Sequence, residues 1–597
     1  MHISRVFIRN FRNLDYADIP FHDGLNVIVG ENGCGKSNLL RAIRLAVDDA
    51  IAPRGRRLEG DDFYRRIGPA VPTQVLCSVE FSGFSSDTRE QKLEGLLKHN
   101  CDVPRVTFRF RPGTKARTAL ESDKPPLSLL ITDYTVERRV GGVKDPKDVL
   151  WSEDYGAALV EGTLDDFTVV EVPALRDVVD DLRNYRSSPL IQLLDEIQFS
   201  VDTQDALVAA LRKANTDIED TQHFKDLALA IGRSYRELAA NLSDLNVTLG
   251  FSDPSFTSIL RNLSLLVSDE LLSQSFDLPR NGLGFNNLLY IAMLVRLFEE
   301  RRVKKEGPQL ILIEEPEAHL HPQAQEALTK LFTATTYQSI FTTHSAHVVV
   351  SASIKSTLCL QRGKTIKPVR LSEDAGLSVT EIDDIERYMD VTRSSLLFAK
   401  SVLLVEGPAE QLLIREYSRV LGKDLVDFGV QVVAVNGTHF DAFEKLLGSA
   451  GAGRPYVILT DGDAFRDDAR NPMVVFDDGT NQSKVAGRCS NITTLEYAIT
   501  QRNSLPALYE TAKILGRKKL MAQLGPGLEK ASQLTDPELA DLQLYVYIAS
   551  VDEGKARFAQ TFAREIKRQA VFPPTYIADA IKQVIDAQQT AAASSSD

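Results

Sequence analysis

The chain has 597 residues, enough for two or three domains that each bury their own core. Its hydrophobic content of 43% and charged content of 25% are those of an ordinary globular protein, and no apolar run is long enough to span a membrane. A net charge of −13 argues against a uniformly basic nucleic-acid-binding surface, while leaving a local basic groove open. We therefore expect a soluble, cytoplasmic protein without membrane contact.

The first pattern along the chain predicts strands and then a phosphate-binding loop. Residues 2–14 alternate apolar and polar, and the apolar run 25–29 is followed by GENGCGKS at 30–37 and an apolar-periodic helix. Backbone N–H groups of such a loop and the helix N-terminus can surround a triphosphate, with Lys36 at the β and γ phosphates and Ser37 on Mg²⁺. We predict an ATP site formed by Asn32, Gly33, Gly35, Lys36, Ser37 and Asn38.

Two further strand patterns, 73–82 and 104–111, predict an antiparallel lobe. In the second pattern Val106, Phe108 and Phe110 share one face, and the other face carries no acid. That other face consists of Arg105, Thr107, Arg109 and Arg111. It is interpreted as a solvated strand face or, alternatively, as a surface that binds a nucleic-acid backbone.

From 173 to 267 the spacing of apolar residues becomes helical, notably at 175–185, 206–213 and 228–242. The block is too short for a long coiled coil and lacks sustained heptads. We interpret it as a compact helical insert that pairs two subunits, with a helical cap on one monomer as the alternative.

The elements after the insert complete a predicted ATPase. Gly282 and Gly284 stand where a signature loop would offer N–H groups to the γ-phosphate of a facing subunit, although no LSGGQ is present. The apolar strand 310–313 ends in Glu314, at the usual place of a Mg²⁺ ligand, and Glu315, at the usual place of the base for the attacking water. His344 follows the strand 339–343, where a γ-phosphate sensor belongs.

A second alternating β/α pattern begins at 399–404. Its first strand ends before Glu406, and its third strand, 456–460, ends before Asp461 and Asp463. Acids at the carboxyl ends of parallel strands repel one another unless divalent cations neutralise them. Hard oxygen ligands favour Mg²⁺ or Mn²⁺. A Glu after one strand and a DxD after another resembles the Toprim domain.

The order IRNFRN, GENGCGKSN, EEPEAHLHP, TTHSAHV, VEGPAE, VNG and DGD closely resembles the OLD (overcoming lysogenization defect) family of nucleases over nearly the full chain. The resemblance implies an α/β fold in which an ABC-type P-loop ATPase with a helical insert precedes a Rossmann-like Toprim domain with C-terminal helices. It also implies that Glu410, Thr494 and Glu496 help to hold a second metal ion, and that Lys555 stabilises charge on the scissile phosphate. Glu406 would be a base or a metal ligand.

The implied domain boundaries are 1–165 and 266–395 for the ATPase, 166–265 for the insert, 396–590 for the Toprim part and 591–597 for a disordered tail. The expected function is two-metal hydrolysis of DNA gated by ATP, in a homodimer or higher oligomer, with a helicase partner and a role in phage defence left open. The alternatives are an ATP-dependent DNA clamp with a structural Toprim module, and a nuclease that acts on RNA.

Overall fold

The computed structural model describes most of the chain. The described residues are 1–64, 69–122, 126, 128–165, 167–174, 188–197, 199–238, 247–261, 263, 265–269, 274–277, 282–303, 309–362, 366–437, 440–461, 486–490 and 494–596. They divide into two compact units. The first unit comprises Met1–Val172, Pro308–Glu317 and Pro322–Asp597, and the second comprises Pro173–Gly307 and Ala318–His321.

An antiparallel sheet of six strands opens the first unit, as the alternating patterns predicted. Its strands are β1 (His2–Phe11), β2 (Leu14–Pro20), β4 (Val75–Ser82), β5 (Arg105–Pro112), β6 (Tyr134–Val140) and β7 (Ala157–Ala158), in the order β2-β1-β4-β5-β6-β7. Alternate apolar residues of these strands pack against the helix that follows the P-loop, Lys36–Val47, in one buried core.

The nucleotide-binding sheet is parallel except at one edge. Its strands are β3 (Leu25–Gly30), β8 (Thr168–Val172), β11 (Gln309–Glu314), β12 (Gln338–Thr342), β13 (Thr357–Arg362) and β14 (Ile366–Arg370), in the order β14-β13-β3-β12-β11-β8. Only β14 runs antiparallel to its neighbour. Because β3, β12 and β11 are adjacent and parallel, the P-loop, the acids after β11 and His344 all lie at the same edge of the sheet.

A third sheet, four-stranded and wholly parallel, lies in the C-terminal part of the first unit. It is formed by β15 (Ser401–Val405), β16 (Val430–Ala434), β17 (Tyr456–Thr460) and β18 (Ala486–Ser490), in the order β16-β15-β17-β18. Every residue of β15 and β17 is buried, which explains their continuous apolar sequences. The ends of β15 and β17 carry Glu406 and Asp461 to neighbouring positions.

Helices cover these sheets. In the first unit they are Lys36–Val47, Thr88–Lys98, Thr114–Leu120, Pro322–Thr333, Ala346–Ala352, Val379–Tyr388, Val391–Ser394, Pro408–Val420, Asp441–Leu447, Leu495–Ile499, Leu505–Ile514, Lys518–Glu529, Asp536–Glu553, Lys555–Gln569 and Thr575–Ser596. None of the helices among the described residues has the length and apolarity that a membrane span requires.

The second unit is mainly helical, as predicted for the insert. It contains the helices Pro189–Glu196, Val201–Glu219, Gln222–Leu238, Phe256–Arg261 and Leu283–Val303 and the hairpin of β9 (Leu266–Asp269) and β10 (Gln274–Asp277). The predicted helix 206–213 lies within the second of these, whereas 175–185 and the end of 228–242 lie outside the described residues. The unit begins at Pro173 instead of 166 because Thr168–Val172 pairs with β11.

The arginine face of β5 is buried, so both interpretations drawn from its sequence were wrong. Arg109 is 0% exposed and donates hydrogen bonds to the Gln74 side chain and to the carbonyls of Leu150 and Glu153 at 2.8–3.0 Å. Arg111 is equally buried and reaches the Asp154 carboxylate at 2.7 Å. A loop distant in sequence covers this face and supplies acceptors to the guanidinium groups, which removes them from contact with nucleic acid.

The chain end also differs from the expectation. The helix Thr575–Ser596 continues through the residues predicted to be a disordered tail, 591–597, as far as Ser596. The alanines at 591–593 are strong helix formers and extend a helix whose earlier turns are held in the core.

Candidate functional site

The P-loop has the backbone conformation that its glycines make possible. Gly33 and Gly35 have φ of 75° and 99°, in the left-handed region. A Cβ at Gly35 would lie 2.8 Å from Leu14, so the loop tolerates no side chain there. Lys36 donates hydrogen bonds from Nζ to the carbonyls of Gly30 and Glu31 at 2.9 and 3.1 Å. Exposed positions at Asn32, Gly33 and Ser37 leave the loop open to a ligand.

The structure brings Lys36, Glu315 and His344 into one electrostatic environment. Burial lowers the pKa of Lys36, although Cys34 and Glu315 act in the opposite direction. Burial and then the positive charge of Lys36 lower the pKa of His344, again against Glu315. Lys36 and His344 therefore both lie near the carboxylate predicted to be the ATPase base.

The two acids at the end of β11 are held differently. Glu314 is the last residue of the strand, and Glu315 has φ of 45° with its N–H bonded to the carbonyl of Thr342 at 2.8 Å. A left-handed conformation is unusual for a residue with a side chain and is typical of strained functional positions. The turn points the chain away from the strand direction immediately after Glu314.

Glu317 is a site residue that the sequence reasoning missed. Its carboxylate accepts hydrogen bonds from the His344 N–H at 2.7 Å and from the Thr343 hydroxyl at 2.8 Å. Burial raises the pKa of Glu317, while these hydrogen bonds oppose that change. Glu317 thus fixes the end of β12 that carries His344. Its place in the EEPE segment, two residues after Glu315, was the available signal.

The IRNFRN segment, residues 8–13, holds the P-loop in place by hydrogen bonds. Asn13 donates a hydrogen bond to the Gly33 carbonyl at 2.7 Å and accepts one from Asn38 at 2.7 Å. Arg12 donates to the Asn38 side chain at 3.0 Å and pairs with Asp62 at 2.8 Å. Asn38, predicted to contact nucleotide, is therefore also engaged in holding the loop, and Arg12 links Asn38 to Asp62.

The predicted signature glycines belong to the second unit. Gly282 is exposed and has open space around it, immediately before the helix Leu283–Val303. A Cβ at Gly284 would lie 2.1 Å from the carbonyl oxygen of His319, so only glycine permits this close approach of two backbone segments. N–H groups in the first turn of a helix are of the kind that bind phosphate.

Two of the predicted Toprim acids meet at the ends of β15 and β17. The Glu406 carboxylate accepts hydrogen bonds from the Thr460 hydroxyl and from the Asp461 N–H, the latter at 2.6 Å. Asp461 is 7% exposed and accepts a hydrogen bond from the N–H of Leu495 at 3.0 Å. Asp463 lies outside the described residues.

Glu410 and Glu496 extend this acidic cluster. Glu410, in the first turn of the helix Pro408–Val420, accepts a hydrogen bond from Gly407 N–H at 3.0 Å. Burial first, and then the negative charges of Glu406 and Glu496, raise the pKa of Glu410 to about 7. Glu406 and Glu496 therefore lie close enough to Glu410 for the three carboxylates to share counter-charge.

Lys555 supplies a positive charge to the same cluster. Its Nζ lies 3.3 Å from the Glu496 carboxylate, whose side chain is 2% exposed and also accepts a hydrogen bond from Ser550 at 3.1 Å. Burial acts to lower the pKa of Lys555, but Glu496, Asp461 and Glu410 together raise it. Lys555 therefore stays protonated beside the acids, as its predicted role requires.

The oxygen atoms of these side chains suit divalent cations, although they do not form a complete coordination shell. No three carboxylate, histidine or cysteine side chains in the described part of the chain are grouped closely enough to hold a metal ion. The Thr494 hydroxyl, however, is buried with no hydrogen-bond partner among the described residues, next in sequence to Leu495. Leu495 donates its N–H to Asp461, so Thr494 adjoins the acidic cluster in sequence, and its hydroxyl oxygen is a hard ligand of the kind that Mg²⁺ and Mn²⁺ prefer.

Comparison with known families agrees with this division into two sites. The model described as AAA ATPase domain matches residues 1–63 and 176–349, and the model described as overcoming lysogenization defect protein-like, TOPRIM domain matches 397–463. The chain thus combines a part similar to AAA ATPase domains with a part similar to OLD TOPRIM domains. The ATPase match contains the P-loop and the acids at the end of β11, and the TOPRIM match runs from just before β15 to Asp463.

Curated relatives resemble this chain over most of its length. Endonuclease GajA of Bacillus cereus is 24% identical over 477 residues, which cover 78% of this chain and 75% of that protein. Old nuclease of Escherichia phage P2 is 24% identical over 470 residues, covering 73% of each chain. Among solved structures, the C-terminal region of the Burkholderia pseudomallei OLD protein is 26% identical and covers 32% of this chain and 99% of that one, with a TM-score of 0.25.

Proposed function

We propose that this chain is an ATP-binding, divalent-metal-dependent DNA endonuclease whose ATPase gates its TOPRIM site. The observation that carries the proposal is the joining of Glu406 to Asp461 at the ends of adjacent parallel strands, with Glu496 and Lys555 in the same electrostatic environment. Two nucleases, GajA and the phage P2 protein, are relatives over most of the chain.

The proposed metal ligands are the acids of the TOPRIM part and one hydroxyl. Glu406, Asp461, Asp463, Glu410, Thr494 and Glu496 would hold Mg²⁺ or Mn²⁺, with two ions balancing the negative charge. When bound, such ions supply Lewis-acid stabilisation of a phosphodiester and a deprotonated water. Lys555, kept protonated by the surrounding carboxylates, is placed to stabilise charge on the scissile phosphate. Glu406 is a candidate base because its two hydrogen bonds from Thr460 and Asp461 both go to the same carboxylate oxygen, Oε1.

The proposed ATPase chemistry uses the edge of the parallel sheet. Lys36 and Ser37 would bind the phosphates and the Mg²⁺ of ATP, Glu314 would complete the metal coordination, and Glu315 would orient the attacking water. His344 would sense the γ-phosphate from its position set by Glu317. The remaining predicted contacts, from Gly282 and Gly284, would come from a facing subunit, which makes a homodimer or a higher homo-oligomer part of the proposal.

The proposal extends to substrate and biological role. DNA is the proposed substrate, a helicase is a further candidate partner, and defence against phage in the cytoplasm is the role that the family relationship suggests. A DNA clamp with a structural TOPRIM module is disfavoured because a structural role gives no reason to bury Asp461 and Glu496 beside other acids. An RNA substrate is the remaining alternative.

The test is the nicking of supercoiled plasmid with Mg²⁺ or Mn²⁺ in the presence of ATP, ADP or no nucleotide. We expect metal-dependent nicking whose rate differs between the three nucleotide conditions, and no nicking by Asp461→Ala. Matched RNA of the same sequence separates the two substrate classes. Metal-independent nicking, or nicking retained by Asp461→Ala, would remove the TOPRIM site from the proposal.

A further inference from the structure

A short loop between the helix Asp441–Leu447 and β17 is held by backbone hydrogen bonds and a close approach of two backbone segments. The N–H of Arg454 bonds to the Leu447 carbonyl at 2.8 Å, and that of Gly453 bonds to the Gly448 carbonyl at 2.9 Å. A Cβ at Gly451 would lie 2.2 Å from a backbone carbonyl, so the loop admits no side chain there. We call the segment 448–454 the coupling loop. It is therefore an ordered loop with a fixed backbone conformation.

The coupling loop contacts the P-loop through Arg454. Arg454 forms an ion pair with the carboxylate of Glu31 and donates a second hydrogen bond to the Leu397 carbonyl at 3.0 Å. The Arg454 side chain is only 7% exposed. Glu31 is the second residue of the P-loop, and its own carbonyl accepts a hydrogen bond from Lys36 at 3.1 Å. One residue thus joins the phosphate-binding lysine to the TOPRIM part.

A second contact fixes the coupling loop against the neighbouring strand of the ATPase sheet. Gln361, at the end of β13, donates a hydrogen bond from its side chain to the Gly451 carbonyl. Strand β13 pairs with β3, the strand that ends in the P-loop. The coupling loop therefore contacts β13 and the P-loop that follows β3. Its position depends on the positions of both.

The other end of the connection is the nuclease site. Arg454 precedes β17, and Asp461 follows it. The five residues of β17 are all buried, and the first four of them pair with β15, so they form a stiff segment about 17 Å long. At its far end the Asp461 N–H bonds to Glu406. A displacement of Arg454 along the strand direction is therefore carried to the carboxylates.

We infer that Arg454 is a positioning residue through which the nucleotide state of the P-loop sets the geometry of the TOPRIM acids. Phosphates that bind Lys36 compete with the hydrogen bond from Lys36 to the Glu31 carbonyl, because the ammonium group prefers the anion. The Glu31 backbone is then released, the Arg454 ion pair moves with it, and β17 transmits the change to Asp461. The inference rests on the proposed function, since it requires nicking that responds to nucleotide.

The test compares the ratio of nicking rates with and without ATP in wild type, Arg454→Met and Glu31→Gln. Glu31→Gln keeps the shape of the partner and, at a side chain that is 38% exposed, tests the link even if Arg454→Met does not fold. The matched control is Lys445→Met. This change removes an exposed ion pair between the helix that precedes the coupling loop, Asp441–Leu447, and Glu381 at 2.7 Å. Binding of a fluorescent ATP analogue is measured in parallel.

In both link variants we expect the ratio of nicking rates to move toward one by at least about fivefold, which is the lower end of the range for allosteric coupling. Arg454→Met still binds the ATP analogue. Lys445→Met keeps the wild-type ratio. A purely structural role would change both rates together and leave the ratio intact. Unchanged ratios in both link variants would overturn the coupling alone, whereas a wild-type enzyme that nicks without any response to nucleotide would overturn the proposed gating as well.

Discussion

The replacement Lys555→Met separates a catalytic cation from a structural one. The side chain is removed from the Glu496 carboxylate, 3.3 Å away, which keeps its hydrogen bond from Ser550. Loss of one partner of a fully buried ion pair costs about 3–5 kcal/mol, but Lys555 is 49% exposed, so solvent screening reduces the expected loss to about 1 kcal/mol. In a folding unit of about 200 residues this lowers Tm by about 2–4 °C.

The expected loss of activity is much larger than the loss of stability. Removing one preorganised group that stabilises developing charge reduces a rate by about 10²–10³-fold, which is about 3–4 kcal/mol of activation free energy. The assay is single-turnover nicking of supercoiled plasmid with saturating Mn²⁺, beside thermal unfolding of the same preparations. The matched control is Arg557→Met on the same helix, whose exposed guanidinium pairs with Glu553 at 2.9 Å. A Lys555→Met rate equal to that of Arg557→Met would refute the assigned role.

Three further predictions concern the ATPase part and β5. Glu315→Gln should still bind ATP but hydrolyse it at least about 10²-fold more slowly, since the amide cannot act as the base; a phosphate-release assay with a binding control checks this. Glu317→Ala leaves the N–H of His344 without its acceptor and should lower ATP turnover by about tenfold with little change in ATP affinity, so an altered affinity with intact turnover would contradict the positioning role. Arg109→Met removes four hydrogen bonds from a buried guanidinium and should destabilise the fold by about 3 kcal/mol or more in denaturant unfolding, while DNA affinity of the folded fraction stays at the wild-type value.

The sequence predicted those parts of the two sites that depend on neighbours along the chain. A P-loop combines a strand, two left-handed glycines and a helix start within a few residues, and the acids after β11 and β15 follow directly from buried strands. Parallel strands bring such ends together without further information. The joining of Glu406 to Asp461 could therefore be expected from the order of elements, and the structure contains it.

What could not be predicted depends on partners far away in sequence. The local sequence of β5 predicted a solvated arginine face. The carbonyls that accept hydrogen bonds from these arginines belong to residues about 40 positions later in the chain, so the local sequence does not reveal them. Arg454 carries no motif, and its partner Glu31 is 423 residues away. Glu317 was overlooked since local sequence does not reveal which backbone N–H a carboxylate will accept from.

The central claim is that carboxylates at the ends of β15 and β17 hold divalent cations that break a nucleic-acid backbone. The most direct measurement compares wild type with Asp461→Asn, a change of charge at constant shape, for Mn²⁺-dependent nicking of supercoiled plasmid and, in the same samples, for ATP hydrolysis. The account predicts that Asp461→Asn loses nicking by at least about 10²-fold while ATP hydrolysis is retained. Nicking by Asp461→Asn at the wild-type rate would contradict it.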